Sequence, residues 1–198
     1  MLFCNNMFPA LETERMLLRK PSFDDTDDIY ILCSDPAACK YADWRPHSDR
    51  TVSRSYIAYL KKQALRQNVQ TYTWFAEEKQ SHRVIGTFSV VETDYSGKIV
   101  TIGYTLSGEF QHKGFATEAV NRMLKFLFLQ RGVERVQAKV MPQNAPSVNL
   151  LERLGFLKEG LVARGAYCKG RCVDVFLFGI TRPVFEQRGK ELLPNYNS

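Results

Sequence analysis

The chain has 198 residues, 44% of them hydrophobic, which is enough for one sizeable core and short for two. The net charge of +6 favours anionic company, but Arg and Lys are spread along the chain. No window approaches the ~18 apolar residues of a membrane span, and "MLFCNNMFPALETER" lacks the basic start and apolar stretch of a signal peptide, so a cytoplasmic protein is expected.

In chain order, "RMLLRK" (15–20) reads as a strand and "PSFDDTDDIYILC" as the start of a helix. Ser22 followed by Asp25 resembles a capping box there, and Asp24, Asp25, Asp27 and Asp28 suit the positive end of a helix dipole better than acid–base chemistry or metal. After the irregular "DPAACKYADWRPHSD" comes a helix over about 51–67. It carries the densest basic run, Arg50, Arg54, Lys61, Lys62 and Arg66, which reads as a solvated face because no nucleic-acid module accompanies it. Strand-like runs follow at 71–77, 83–93 and 98–106, joined by short turns into an antiparallel meander. The order then changes to helix (115–130), strand (135–140), helix (146–154) and strands at 156–162 and 171–180, with a short helix and a loose end from Pro183 onward.

Cys4, Cys33, Cys39, Cys168 and Cys172 do not make the paired spacings of a disulfide framework, so reduced thiols are expected. His47, His82 and His112 are scattered and Cys168-x-x-x-Cys172 stands alone, so no metal site is expected.

The stretch with most chemical content is "GEFQHKGFATEAVNRMLKFLF" (108–128). From Phe115 the apolar positions Phe115, Ala116, Ala119, Val120, Met123, Leu124, Leu127 and Phe128 form a helical stripe, and Gly132 supplies a stop. A helix N-terminus offers unpaired N–H groups and a positive dipole end, and Gly114 lets a ligand approach backbone, so the turn suits a phosphate. Gln111-x-x-Gly114-x-Ala116 matches the Gln/Arg-x-x-Gly-x-Gly/Ala pattern of the GNAT acetyltransferase superfamily. "LETERMLLRKPSFDD", "IGYTLSGEFQHKGFATEAV", "NAPSVNLLERLGF" and "RGAYCKGRCVDVFLFGI" resemble, in this order, segments of its ribosomal-protein N-terminal-amine (RimJ/RimL-like) branch, so the resemblance spans roughly residues 11–181.

The resemblance implies an α/β (α+β) fold: one GNAT-like domain over 1–198, with a core at about 11–181 and a tail at 183–198. Its sheet should be mixed, mostly antiparallel, about seven-stranded, splayed at the centre and flanked by helices. It implies acetyl-CoA as co-substrate. Gln111, His112, Lys113, Gly114, Phe115, Ala116 and Thr117 would surround its pyrophosphate, the Lys113 side chain being either a phosphate partner or solvated. Backbone N–H groups at Leu106 and Ser107 would polarise the thioester. Asn144 would touch the pantetheine region while capping the next helix, and Ser147 would meet acetyl-CoA near its sulfur and be the general acid, since Leu151 stands where other members carry a tyrosine.

The usual strand glutamate, two residues before a Gly-Tyr pair, is Thr101 here, which leaves Glu92, Glu109, Glu159 and Asp174 as candidate bases; Asp174 fits a structural acceptor equally well. At pH 7 a lysine amine costs about 4.6 kcal/mol to deprotonate and an α-amine about 1.1. A weak base therefore suits an α-amine, and the acceptor expected is a peptide or protein N-terminus, a ribosomal protein among them, with a small amine as the alternative. A binding module that holds acetyl-CoA without turnover is the rival of another class. No membrane or direct nucleic-acid contact is expected, and the assembly is a monomer or homodimer. Tyr41, Trp44 and Tyr56 line the acceptor cleft or pack beneath it.

Overall fold

The computed structural model describes residues 9–65 and 71–192, with side chains through residue 188. Strands β1 (Leu11–Glu12), β2 (Met16–Arg19), β3 (Tyr72–Glu78), β4 (Val84–Thr93), β5 (Ile99–Leu106), β6 (Arg135–Val140), β7 (Leu157–Cys168) and β8 (Arg171–Thr181) form one sheet in the order β1-β2-β3-β4-β5-β6-β8-β7. Every pairing is antiparallel except β5 with β6. The eighth strand is β1, two residues paired with Leu17 and Leu18 and too short to show a period in the sequence. The strand expected at 156–162 runs on to Cys168. It is exposed along most of its length, so no alternation marks it, and its register shifts between Val162 and Ala166 around Arg164 at φ 53°.

Register sorts side chains onto two faces. Trp74, Phe88, Val90, Ile102 and Val100 share one face, and it buries α4 (Phe115–Lys125) and α5 (Ala145–Arg153) in the main core. The stripe read from the sequence is what α4 buries: Phe115, Ala119, Val120, Met123 and Leu124 are all buried. Each large member contributes about 1.5–3 kcal/mol. Past Lys125 the helix relaxes into a π turn over Phe126–Gln130, and Gly132 at φ 68° ends it. The short helix at the C-terminal end is α6 (Arg182–Leu192).

The other face packs α1 (Thr26–Ser34) and α3 (Arg50–Ala64) on Phe75 and Val84, with Trp44 and Tyr56 against this second cluster. The irregular segment before α3 contains a single helical turn, α2 (Pro36–Cys39), capped by Asp35. The acidic cluster is structural. Ser22 and Asp25 close a capping box, Asp25 takes both Arg19 nitrogens, Asp28 accepts the Val84 N–H at 2.8 Å and Asp27 pairs with Arg50. Much of the basic face of α3 is used internally: Arg50 lies over Tyr30, and Arg54 and Lys61 over Phe23. Arg66 and Cys4 lie outside the described residues, while Cys33, Cys39, Cys168 and Cys172 are free thiols.

Candidate active site

The parallel pair β5–β6 is in register at Ile99 with Arg135, Val100 with Val136 and Thr101 with Gln137, and stops there. Beyond Thr101 the two strands diverge, opening a wedge that passes from one face of the sheet to the other. Ser107 gives its N–H to Ile85 O on the β4 side at 2.9 Å. Peptide groups alternate along a strand, so those of Leu106 face the wedge. From that side Gln111 Nε2 donates to Leu106 O at 2.9 Å, holding the strand end against the turn that follows.

That turn has two left-handed residues, His112 at φ 60° and Gly114 at φ 84°. The first accepted N–H of α4 is that of Glu118, bonded to Gly114 O at 3.0 Å, so the amides of Phe115, Ala116 and Thr117 have no acceptor within the helix. Arg15, next to β2, clamps the turn from behind. Its Nη1 donates to Lys113 O at 2.9 Å, its Nε to Glu118 Oε2 at 2.7 Å, and its guanidinium lies 4.1 Å from the Phe115 ring centroid. A Cβ on Gly114 would stand 3.3 Å from Arg15 Nη2. Burial disfavours charge on Glu118, yet the Thr13 hydroxyl and the Arg15 N–H and guanidinium outweigh it and hold the carboxyl below its usual range.

Asn144 caps α5 by accepting the Ser147 N–H at 3.4 Å. The hydroxyl of Tyr104, on β5, is buried beside Ser147 without closing a hydrogen bond of ordinary geometry. Burial pushes Tyr104 up to about 12, with Ser147 opposing, so the phenol is protonated at neutral pH. Leu151 is fully buried in the core and has no proton to give.

A groove of 1560 Å³ joins these elements to the opposite face. Leu106, Gln111, His112, Gly114, Phe115, Ala116, Thr117, Asn144 and Ser147 line it. Ser107 and Lys113 do not: the Ser107 amide is committed to β4, and the Lys113 ammonium sits 5.6 Å from the Phe110 ring centroid. On the opposite face the floor is hydroxylic, with Thr73 opposite Ser89, Thr87 opposite Thr105 and Thr101 opposite Glu92, and Tyr41, Trp44, His47, Tyr56 and Tyr59 form the wall. The wall segment is tied across the groove. Tyr41 Oη donates to Gln143 O at 2.7 Å, Cys168 Sγ to Ala42 O at 3.2 Å, and Lys169 Nζ to Cys39 O. Burial keeps His47 below its usual range, so its ring is neutral at pH 7.

Of the four carboxylates considered as bases, Glu92 lines the groove. Glu159 is held by both terminal nitrogens of Arg135, Glu109 lies 3.6 Å from Arg83, and Asp174 accepts the Arg164 N–H at 2.7 Å within the β7–β8 hairpin. Among the described residues no group of three or more His, Cys, Asp or Glu could hold a metal ion.

Comparison with known proteins agrees with this architecture. The sequence profile described as an acetyltransferase (GNAT) domain matches residues 15–157. The chain belongs to the GNAT acetyltransferase family. An uncharacterized N-acetyltransferase p20 of Bacillus licheniformis is 34% identical over 173 residues, 87% of this chain and 96% of that one. Shorter matches include a spermidine N(1)-acetyltransferase of Vibrio cholerae, 29% identical over 51% of this chain and 58% of that one, and the [ribosomal protein uS5]-alanine N-acetyltransferase of Escherichia coli, 33% identical over 41% and 42%. Among solved structures, the microcin C7 self-immunity acetyltransferase MccE in complex with acetyl-CoA and AMP shares the fold, with a TM-score of 0.75 at 23% identity over 85% of this chain and 93% of that one.

As a GNAT enzyme the chain transfers an acetyl group from acetyl-CoA to an amine. The chemistry of the turn fits the co-substrate: the amides of Phe115, Ala116 and Thr117 have no acceptor within the helix, and such amides are donors that a pyrophosphate can use. Three contributors are not singled out by the sequence. Arg15 acts across 98 residues on Lys113 O and Gln137 across 36 on Thr101. The third, Tyr104, stands in the Gly-Tyr pair, but only the fold puts it beside Ser147. Tyr41, expected at the cleft, lines the groove, and its bond to Gln143 O spans 102 residues.

Proposed function

We propose that the enzyme acetylates the α-amine of a peptide or protein N-terminus, by direct attack of the amine on the thioester. The observation that carries this reading is the charge balance of the groove. Its acidic residues are Asp43, Glu92 and Glu152, and Lys40, Lys139 and Arg153 match them one for one. A polycation would find no excess of negative charge there, whereas a hydroxyl floor and an aromatic wall suit an uncharged backbone. Residues 11–181 would form the catalytic core, acting in the cytoplasm.

In this reading Gln111, His112, Gly114, Phe115, Ala116 and Thr117 surround the pyrophosphate through main-chain N–H groups, and Asn144 meets the pantetheine arm. The Leu106 N–H polarises the thioester oxygen, an electrostatic contribution that strengthens as negative charge develops in the transition state. Ser147 protonates the departing thiolate, with Tyr104 beside it as a second protonated hydroxyl. The spermidine-acetylating relative keeps a small polyamine as the second reading. The test is acetyl-CoA-dependent thiol release on peptides with free N-termini, the same peptides blocked at the N-terminus, polyamines and aminoglycosides, with mass spectrometry placing the acetyl group. Turnover selective for free peptide N-termini supports the proposal; selective turnover of spermidine overturns it in favour of the second reading.

A further inference from the structure

Three neighbouring strands carry one polar row across the acceptor face. Glu92 on β4 pairs in register with Thr101 on β5, which pairs with Gln137 on β6. Thr101 is 4% exposed, its Oγ1 lies 3.3 Å from Glu92 Oε2, and Gln137 Nε2 approaches that Oγ1 at 3.0 Å. The directions of these bonds are forced. An ionised carboxylate accepts only, so Thr101 must donate to Glu92, and the Gln137 amide must then present its N–H to Thr101. One Thr101 lone pair is thereby filled and the other is left for a water. A hydroxyl fixed in this way takes a proton on one side as it gives one up on the other.

The row crosses the sheet where β5 and β6 part, at the closed end of the wedge. Thr101 and Leu106 are five residues apart, about 16 Å of strand, so Glu92 cannot touch an amine attacking near Leu106 and would act through water. On the same face, Gly103 separates Thr101 from the Thr105 hydroxyl; Val91 Cγ1 lies 3.2 Å from where a Gly103 Cβ would stand, so a water file would run past the Val91 side chain. Lys139 Nζ, 3.4 Å from Glu92 Oε2, is the cation that faces the carboxylate.

We propose that Glu92, through the Thr101 hydroxyl that Gln137 orients, takes the proton released when the acceptor amine is activated. This rests on the N-acetyltransferase reading of the same groove. One N–H bond of the ammonium breaks, the electron pair stays on nitrogen, and the proton enters the water file. A proton from the file reaches Thr101 Oγ1 as the Thr101 proton passes to Glu92 Oε2. The nitrogen then bonds to the thioester carbon and the C–S bond breaks. The sulfur leaves with its electron pair and takes a proton from Ser147, which is refilled by the second proton lost from nitrogen. Glu92 returns its proton to solvent, so the sum is ammonium plus acetyl-CoA giving amide, CoA and one proton.

The experiment measures kcat/KM for a free-N-terminus peptide from pH 6 to 10 in wild type, Glu92→Gln, Thr101→Val and Thr101→Ser, with acetyl-CoA affinity measured directly in each. Expected at pH 7 is a loss of roughly 10–100-fold in Glu92→Gln and Thr101→Val, a change within about two-fold in Thr101→Ser, and unchanged acetyl-CoA affinity. Above the α-amine pKa of about 7.8 the nucleophile is already neutral, so the two impaired variants converge on wild type. A loss that persists at pH 10 would show a structural effect and overturn the relay. Full activity of Glu92→Gln at pH 7 overturns the relay and leaves the N-acetyltransferase reading standing, whereas a wild type that turns over no amine overturns both.

Discussion

The two faces of the sheet solve different problems. On the α4–α5 face the polar work falls to backbone: amides of the 112–117 turn, held by Arg15, Glu118 and Gln111 from outside. On the α1–α3 face it falls to side chains, a hydroxyl floor and an aromatic wall with balanced charge. In the proposed reading the turn holds a pyrophosphate, which is the same in every turnover, so a backbone cradle would serve it. An acceptor is defined by what surrounds its amine, and that is set by side chains brought from several segments. Substitutions on the first face should therefore move acetyl-CoA terms, and those on the second should move acceptor terms.

The largest departure expected is Ser147→Ala, at the junction of the two faces. kcat should fall about 100-fold, the scale of a lost general acid, with acetyl-CoA affinity unchanged in a direct titration. Next is Gly114→Ala. A left-handed φ of 84° costs a residue with a Cβ about 1–2 kcal/mol, and that Cβ would press on Arg15 Nη2. Acetyl-CoA binding should weaken about tenfold while the acceptor KM stays put.

Arg15→Ala removes the clamp on Lys113 O and Glu118 and should raise the acetyl-CoA KM about three- to tenfold, the worth of a charge-assisted hydrogen bond, with kcat within two-fold. The same network gives a pH signature. The Glu118 carboxyl is held below its usual value in the folded protein, so its stabilisation is present above the unfolded pKa of about 4.3 and is lost as pH falls through the folded value. Melting temperature should therefore drop less steeply with acid in Glu118→Gln than in wild type. The smallest effect is Tyr41→Phe, which cuts the tie to Gln143 O. It should raise the peptide KM about two- to threefold and leave acetyl-CoA binding alone; an effect confined to acetyl-CoA would erase the distinction between the faces.

The same distinction explains what the sequence disclosed. The α4 face was legible because its signals are local: an apolar stripe, a glycine turn and the capping Asn144 each sit within a dozen residues. The strand order of the meander was legible from short turns for the same reason. The acceptor face was not, because Tyr41 meets Gln143 and Cys168 meets Ala42 across more than a hundred residues. Choosing among four carboxylates needed the register that sets Glu92 opposite Thr101. The missing strand glutamate was visible, but its consequence was not. Strand β7 stayed short in the reading because exposed strands do not alternate.

The most direct measurement compares initial rates, at pH 7 and fixed acetyl-CoA, on one lysine-containing peptide with its N-terminus free and on the same peptide with its N-terminus acetylated. The account predicts turnover of the free form at least ten times faster, with the new acetyl group on the α-nitrogen. Equal rates, or an acetyl group found on the lysine, would contradict it.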